Sequence, residues 1–257
     1  MKQIKLPFLT LMIAMFLVGC GSNPQKNISK SLDSVLLRFN YEKGDSYNLS
    51  MQLNQDTDGA MSVIMDMEMS QKITDVINGE FLSEVRIVKI KMDMKGGGMS
   101  MNYDSSKNDG ELDQVGIIMK KEMAPRLAAV VTMRSNNLGK LIESKVVPDT
   151  PATTSLAEQT NNVTYPINAV RIGESWSINK KEKGMDMTFY YKVRSITNKI
   201  VLLDLSGTIK GGADGTISGE MKIDRVSGVP MTSKIEMDMD VKGVNSKASI
   251  SLNLVKQ

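Results

Sequence analysis

A chain of 257 residues, 41% hydrophobic and 24% charged, has the composition of one or two globular domains rather than of a disordered polymer. Its 32 Lys and Arg against 29 Asp and Glu are too evenly balanced for a nucleic-acid binder, which needs a concentrated basic surface. With no histidine and a single cysteine, it has no His-based triad, no intrachain disulfide and no thiolate metal cluster, and no cofactor is indicated.

The chain opens on a targeting pattern. Lys2 and Lys5 precede an apolar run over residues 6–18, shorter than the roughly 20 residues a membrane-spanning helix needs. Leu17-Val18-Gly19-Cys20 follows, and it resembles a bacterial lipobox: an apolar residue three before the cysteine and a small one just before it. That resemblance implies a diacylglycerol on the Cys20 thiol, cleavage before Cys20 and acylation of the new amine. The only cysteine of the chain stands at the position the motif demands. Residues 1–19 therefore read as a lipoprotein signal peptide, and residues 20–34 as the lipidated Cys20 and a flexible tether rich in Gly, Ser, Asn and Pro. The partner this implies is a membrane, held through acyl chains. By analogy with known sorting signals, Gly21 after the cysteine favours the outer membrane. The absence of an acid before Asp33 favours its periplasm-facing leaflet. Asp33-Ser34-Val35 fits a short O-glycan acceptor pattern on Ser34, a match three residues reach easily by chance.

Residues 35–257 read as a single β-rich domain. From residue 61 to 77, apolar Met61, Val63, Met65, Met67, Met69 and Ile73 alternate with polar side chains, the period-two pattern of a half-buried antiparallel strand. The same alternation carries Met185, Met187, Phe189, Tyr191 and Val193, and again Val229, Met231, Ile235, Met237, Met239 and Val241. Further runs lie at 36–41, 47–55, 81–94, 199–209, 216–226 and 247–255. In 81–94 the phase slips between Ile87 and Val88, which predicts a β-bulge. Asn78-Gly79, Gly96-Gly97-Gly98, Thr197-Asn198, the run from Gly211 to Gly215, and Ser227-Gly228 mark turns. Helix is expected only at about 111–129, limited by Pro125, and at about 151–160 with a proline in its first turn. Residues 130–134 and 140–147 between them form a hairpin.

Gly44-Asp45-Ser46-Tyr47 matches Gly173-Glu174-Ser175-Trp176. A Met/Asp strand and an Ile-Thr turn region follow each, so two similar halves are a further expectation. Ten or more alternating strands with so little helix must curl on themselves to cover their apolar faces. The fold class is mainly β: a curled antiparallel sheet, half-barrel or open barrel, with one or two short helices. A transmembrane barrel is excluded, because 5% aromatics cannot build two girdles and the outer faces carry Asp, Glu and Lys.

With the lipobox, the segments YEKGDSYNLSMQLNQ, YPINAVRIGESWSI and DRVSGVPMTSKIEMDMDV resemble a Bacteroidota lipoprotein family known mainly as a domain of unknown function. The resemblance covers essentially the whole mature chain. It implies a shape similar to the lipoprotein-carrier and mycobacterial lipoprotein half-barrels, which hold acyl chains in an apolar cavity. It transfers no active-site residue.

Methionine is the unusual feature, at 21 residues. Met-x-Met pairs on a strand point the same way. Met65, Met67, Met69, Met185, Met187, Met237 and Met239 are thus the candidate lining of a concave apolar face. Three readings of that face stand side by side: an adaptable core, a pliable cavity for an acyl chain or other apolar ligand, and a thioether site for Cu(I). Met99 and Met101, beside the triple glycine, are the copper candidates, though the first two readings outweigh a metal. Asp66, Glu68, Asp93, Asp186, Asp238 and Asp240 sit between apolar residues and should face solvent. No paired-carboxylate, Ser–Lys or phosphate-loop arrangement stands out, so the expectation is a non-enzymatic protein. Its expected role is to bind an apolar small molecule or lipid. The rival role is a structural or assembly lipoprotein whose protein partner the sequence does not specify.

Overall fold

The computed structural model describes residues 34–158, 163–182 and 184–257. The signal-peptide and lipid-anchor readings at residues 1–19 and Cys20 lie outside them, as does the tether before Ser34. The elements are β1 Ser34–Val35, β2 Ser46–Thr57, β3 Met61–Ile77, β4 Glu80–Gly96, β5 Met99–Asp104, α1 Gln114–Ala128, β6 Val130–Asn136 and β7 Leu141–Val147. They continue with α2 Thr154–Glu158, β8 Val170–Arg171, β9 Ser175–Glu182, β10 Met185–Ile196, β11 Ile200–Gly211, β12 Asp214–Asp224, β13 Pro230–Val241 and β14 Val244–Lys256. Eleven strands pair in the order β7-β6-β4-β3-β2-β14-β13-β12-β11-β10-β9, β5 adds to β4, and β1 pairs with β8 apart from this sheet. Every pairing is antiparallel, and β7 and β9 remain unjoined, so the sheet is open.

The expected alternation sets the burial. Leu49, Met51 and Leu53 of β2, Val63, Met65 and Met67 of β3, and Ile235, Met237 and Met239 of β13 are all buried, with exposed residues between them, polar except for Ile64. One continuous cluster of buried apolar residues runs through β2–β4 and β9–β14 and takes in Leu37, Phe39, Tyr165 and Met123 of α1. Two short helices cannot cover that face, so the sheet covers it by its own curl. A second, small cluster lies under β6, β7 and α2.

The phase slip is a bulge. Glu68 pairs with Lys89 and Met69 with Ile87, leaving Val88 as the extra residue, exposed. Helix α1 runs through Pro125 to Ala128, within the expected span, and Asp113 caps its start by accepting from the Gly116 N–H at 2.7 Å. Residues 36–41, expected as a strand, keep a strand-like alternation of burial but form no strand; the ladder with β8 ends at Val35, just before them. The second helix is a single turn that starts three residues after Pro151.

The two halves are built alike. The Gly44 N–H donates to Ile73 O at 2.9 Å, and the Gly173 N–H to Val193 O at 2.8 Å. The Ile73 N–H returns to Asp45 O and the Val193 N–H to Glu174 O. Asp45 accepts from the Glu42 N–H, and Glu174 from the Arg171 N–H. The bulge at Ile73/Asp75 in β3 recurs at Val193/Ser195 in β10. Asn136 and Asp224 then each close the following turn by accepting two backbone N–H groups. Composition alone would not reproduce, in both halves, a bulge directly after the residue whose carbonyl accepts the glycine N–H.

Tyr165 ties the segment before β8 to the second half, its buried hydroxyl donating to Gly228 O at 2.6 Å. Tyr165→Phe is expected to cost about 1–3 kcal/mol, because it strands a buried carbonyl. Chemical denaturation of the two proteins measures it.

Candidate functional site

Met65 and Met67 come from β3, Met185 and Met187 from β10, and Met237 and Met239 from β13. All six are buried on the apolar face, and Met69 is half-buried beside them. The register brings cross-strand neighbours together: Met65 stands between Leu53 and Met92, and Met67 between Met51 and Ile90. Met237 stands between Ile217 and Ala248, and Met187 opposite Ile209 and Lys180. Met65 and Met67 are each 1% exposed, and Met237 and Met239 each 3%. A side chain facing a void wide enough for water would keep more surface than that, so the face is packed shut around these four in the conformation described. The face is a dry thioether and aliphatic layer with an adjustable shape, because Met has three soft torsions and a polarisable sulfur. Among buried polar side chains on it, Gln55 donates to Ser246 Oγ at 3.1 Å.

The copper candidates do not form a matched pair: Met99 is well exposed while Met101 is buried. The two sit at the start of β5, where β4 covers only one side of each. No group of three or more Asp, Glu, His or Cys placed to hold a metal occurs among the described residues.

The six carboxylates expected in water are all exposed. They share the polar face with two open grooves that the sequence did not suggest. One, of about 690 Å³, crosses β4, β3, β2, β14, β13 and β12 and is lined by Ser50, Gln52, Asp66, Lys89, Lys234 and Asn253 among others. The other, of about 680 Å³, continues along the same strands past Asn54, Asp56, Ile64, Glu236 and Ser249. The polar face is therefore hollowed across the middle of the sheet. Alternation could place these side chains outward, but it carries no information on curvature. Ion pairs there, such as Lys247–Asp238 at 3.7 Å, are more than half exposed and add little.

One charged group is buried at the margin of the apolar face. The Asp45 carboxylate receives Lys256 Nζ at 2.6 Å, the Tyr47 hydroxyl at 3.1 Å and the Glu42 N–H at 3.1 Å. Burial opposes its ionisation, but the donors from Lys256, Glu42 and Tyr47 outweigh burial and hold the carboxyl below its ordinary 3.8. Burial, and then the charge of Asp45, pushes the nearby Tyr41 hydroxyl far up. Asp45 joins the start of β2 to the end of β14, the last strand of the sheet. Its folded value lies below its unfolded one, so its contribution to stability is complete above pH 3.8 and is lost as the pH falls through the folded value. Asp45→Asn should lose that part of the acid dependence, flattening the unfolding midpoint against pH below about pH 4. An unchanged acid limb would show that other carboxylates set it.

Comparison with known proteins adds three findings. A lipovitellin chain, from a structure concerned with lipid–protein interactions, shares the fold at a TM-score of 0.53 and 9% identity. The match covers 85% of this chain and 25% of that one, so the chain spans about a quarter of the length of its structural neighbour. A mutant Rh. blastica porin aligns over 82% of this chain and 99% of its own at 7% identity, but its TM-score of 0.23 is too low to bear on the fold. No curated protein matches the chain. Residues 152–253, from just before α2 into β14, match a family of unknown function, DUF6263.

Proposed function

We propose that the chain is a non-enzymatic outer-membrane lipoprotein, facing the periplasm and held by acyl chains on Cys20. In this reading its Met-rich sheet face binds an acyl chain or another apolar ligand. The observation that carries it is an apolar face continuous across an open sheet. Because β7 and β9 are not joined, the inner faces can part without breaking a closed barrel, and Met side chains can re-pack around what enters. The packed face is then the unloaded state. The lipovitellin likeness supports this at the level of fold alone. Native mass spectrometry of protein purified in mild detergent should show co-purifying lipid that denaturation releases, and a bare polypeptide mass would overturn the binding reading. Cys20→Ser should abolish acylation and release the protein from the membrane fraction, and continued acylation would overturn the anchor.

The second reading is an assembly lipoprotein that pairs with another envelope protein at a sheet edge. The uncovered edge strand β7, with Ile142 and Val147 exposed, favours it. Such a partner would be recovered with the protein by cross-linking in cells and lost on introducing proline into β7.

A further inference from the structure

The strands place their ends in two groups. At one end lie the start of β2, the β3–β4, β6–β7, β10–β11 and β12–β13 turns, the segment from Ser34 to Asp45 and the end of β14. At the other lie the β2–β3, β4–β5, β9–β10, β11–β12 and β13–β14 turns. The two most exposed large apolar side chains among the described residues, Ile167 and Val226, are both 74% exposed, and both belong to the first end. They sit on one stripe. In the segment from Ser34 to Asn40 the buried Val35, Leu37 and Phe39 alternate with the outward Leu36, Arg38 and Asn40. The Arg38 guanidinium donates to the carbonyls of Pro166 and Ile167, and Asn40 Nδ2 to the Val226 carbonyl at 2.8 Å. Leu36, 54% exposed, thus lies in line with Ile167 and Val226. Arg171 pairs with Ser34 and so faces the same way as Leu36, with Ile172, 45% exposed, next to it.

The charges around the stripe are predominantly positive. Arg38, Arg171, Lys199 and Arg225 border it. Of the neighbouring acids, Asp224 is half-buried and accepts backbone N–H groups, while Glu174, which accepts from the Arg171 N–H, and Glu42 are exposed, so the four cations face two exposed acids. The opposite end is glycine-rich and mixed in charge, with Asp56, Asp58, Asp214 and Asp240 standing near Lys95, Lys181, Lys210 and Lys242.

We propose that this end is a membrane-docking surface: Leu36, Ile167, Ile172 and Val226 insert at the headgroup boundary while the bordering cations meet anionic headgroups. It rests on the lipid-anchor reading of Cys20. Only residues 21–33 separate that cysteine from Ser34, at most about 45 Å of chain, and the chain enters the domain beside Leu36. Apolar tips bordered by Lys and Arg are the pattern that binds anionic interfaces, and with a covalent lipid they supply the second signal that fixes orientation. The strands would then stand upright on the bilayer, with the glycine-rich turns of the opposite end pointing away.

The test uses the acylated protein purified from membranes. Its single cysteine is then blocked, so Ile167→Cys, Val226→Cys and, as a control at the far end, Asn245→Cys each give one labelling site. Each is labelled with an environment-sensitive dye and reconstituted into vesicles of phosphatidylethanolamine and phosphatidylglycerol carrying a spin-labelled lipid. The expected result is a blue shift and several-fold stronger lipid quenching at positions 167 and 226 than at 245, weakened when phosphatidylcholine replaces phosphatidylglycerol. Protein that floats with the vesicles while all three probes stay equally wet overturns the docking surface and leaves the anchor standing. Protein that does not float overturns the anchor, and the docking surface with it.

Discussion

Met67→Ala is expected to destabilise the protein by about 2–5 kcal/mol, the range for emptying a packed site of this size. Met67 is 1% exposed and lies between Met51 and Ile90 in the middle of the sheet. Alanine removes its thioether and methyl without giving the neighbouring strands, pinned by their own ladders, any way to collapse inward. Asp238→Asn, one position along from Met237 on the opposite face, should change stability by about 0.5 kcal/mol or less, since its ion pair is solvated. The contrast tests the face assignment directly, and urea denaturation of both variants measures it. A third variant addresses the ligand. Met237→Trp overfills a packed face and should cost about 1–3 kcal/mol in lipid-free protein. If the face opens for an apolar ligand, the same variant should also carry less lipid than the wild type. Equal lipid content in wild type and variant would place the ligand elsewhere.

The strands were readable because one face of each is wet. Where side chains alternate with period two, as in Met65 to Glu68 or Ile235 to Asp240, a register slip would turn every methionine outward, so the pattern is strongly selected by burial. The bulge at Val88 was readable for the same reason, since an inserted residue inverts the phase. The repeat was readable as two tetrapeptides, each followed by a Met/Asp strand and an Ile-Thr turn region. What confirms it is the bonding around Gly44 and Gly173, which involves backbone groups with no signature in side-chain type.

Other features were illegible for definable reasons. Met99 and Met101 differ in their places along β5, Met99 pairing with Gly96 at the strand's outer end and Met101 with Met94 further in, which alternation alone does not distinguish. The hollowing of the polar face and the packing of the apolar one follow from how twelve strands coil together. Alternation assigns each residue to a face, but a face can bend either way. The stripe of Leu36, Ile167 and Val226 brings together three segments far apart in the chain, and each residue alone looks like an ordinary exposed aliphatic.

Gly228→Ala should be among the most damaging single-methyl additions in the chain, at about 2–5 kcal/mol. Two costs add. Gly228 has φ +66°, a region that costs a side-chain-bearing residue about 1–2 kcal/mol. Its new methyl would also overlap the Arg38 carbonyl oxygen, with the carbonyl carbon at 2.5 Å and the Phe39 nitrogen at 3.2 Å. These are backbone atoms, so no rotamer change relieves the contact, and overfilling a packed site costs about 1–3 kcal/mol more. Nor can the turn retreat. Its Ser227 carbonyl accepts from the Asn40 N–H at 2.8 Å, its Gly228 carbonyl from the Tyr165 hydroxyl at 2.6 Å, and its Gly228 N–H donates to Asp224 O at 2.9 Å. Relief therefore requires the segment from Leu37 to Asn40 to lift off, exposing Leu37 and Phe39. Gly44→Ala isolates the first cost: Gly44 has φ +95° but nothing within 4 Å of an added methyl, so about 1–2 kcal/mol is expected. Thermal unfolding ranks the two, and hydrogen exchange at the Asn40 amide shows whether the crossing segment has come away. Equal losses in both variants, with Asn40 still protected, would show that the segment yields without detaching.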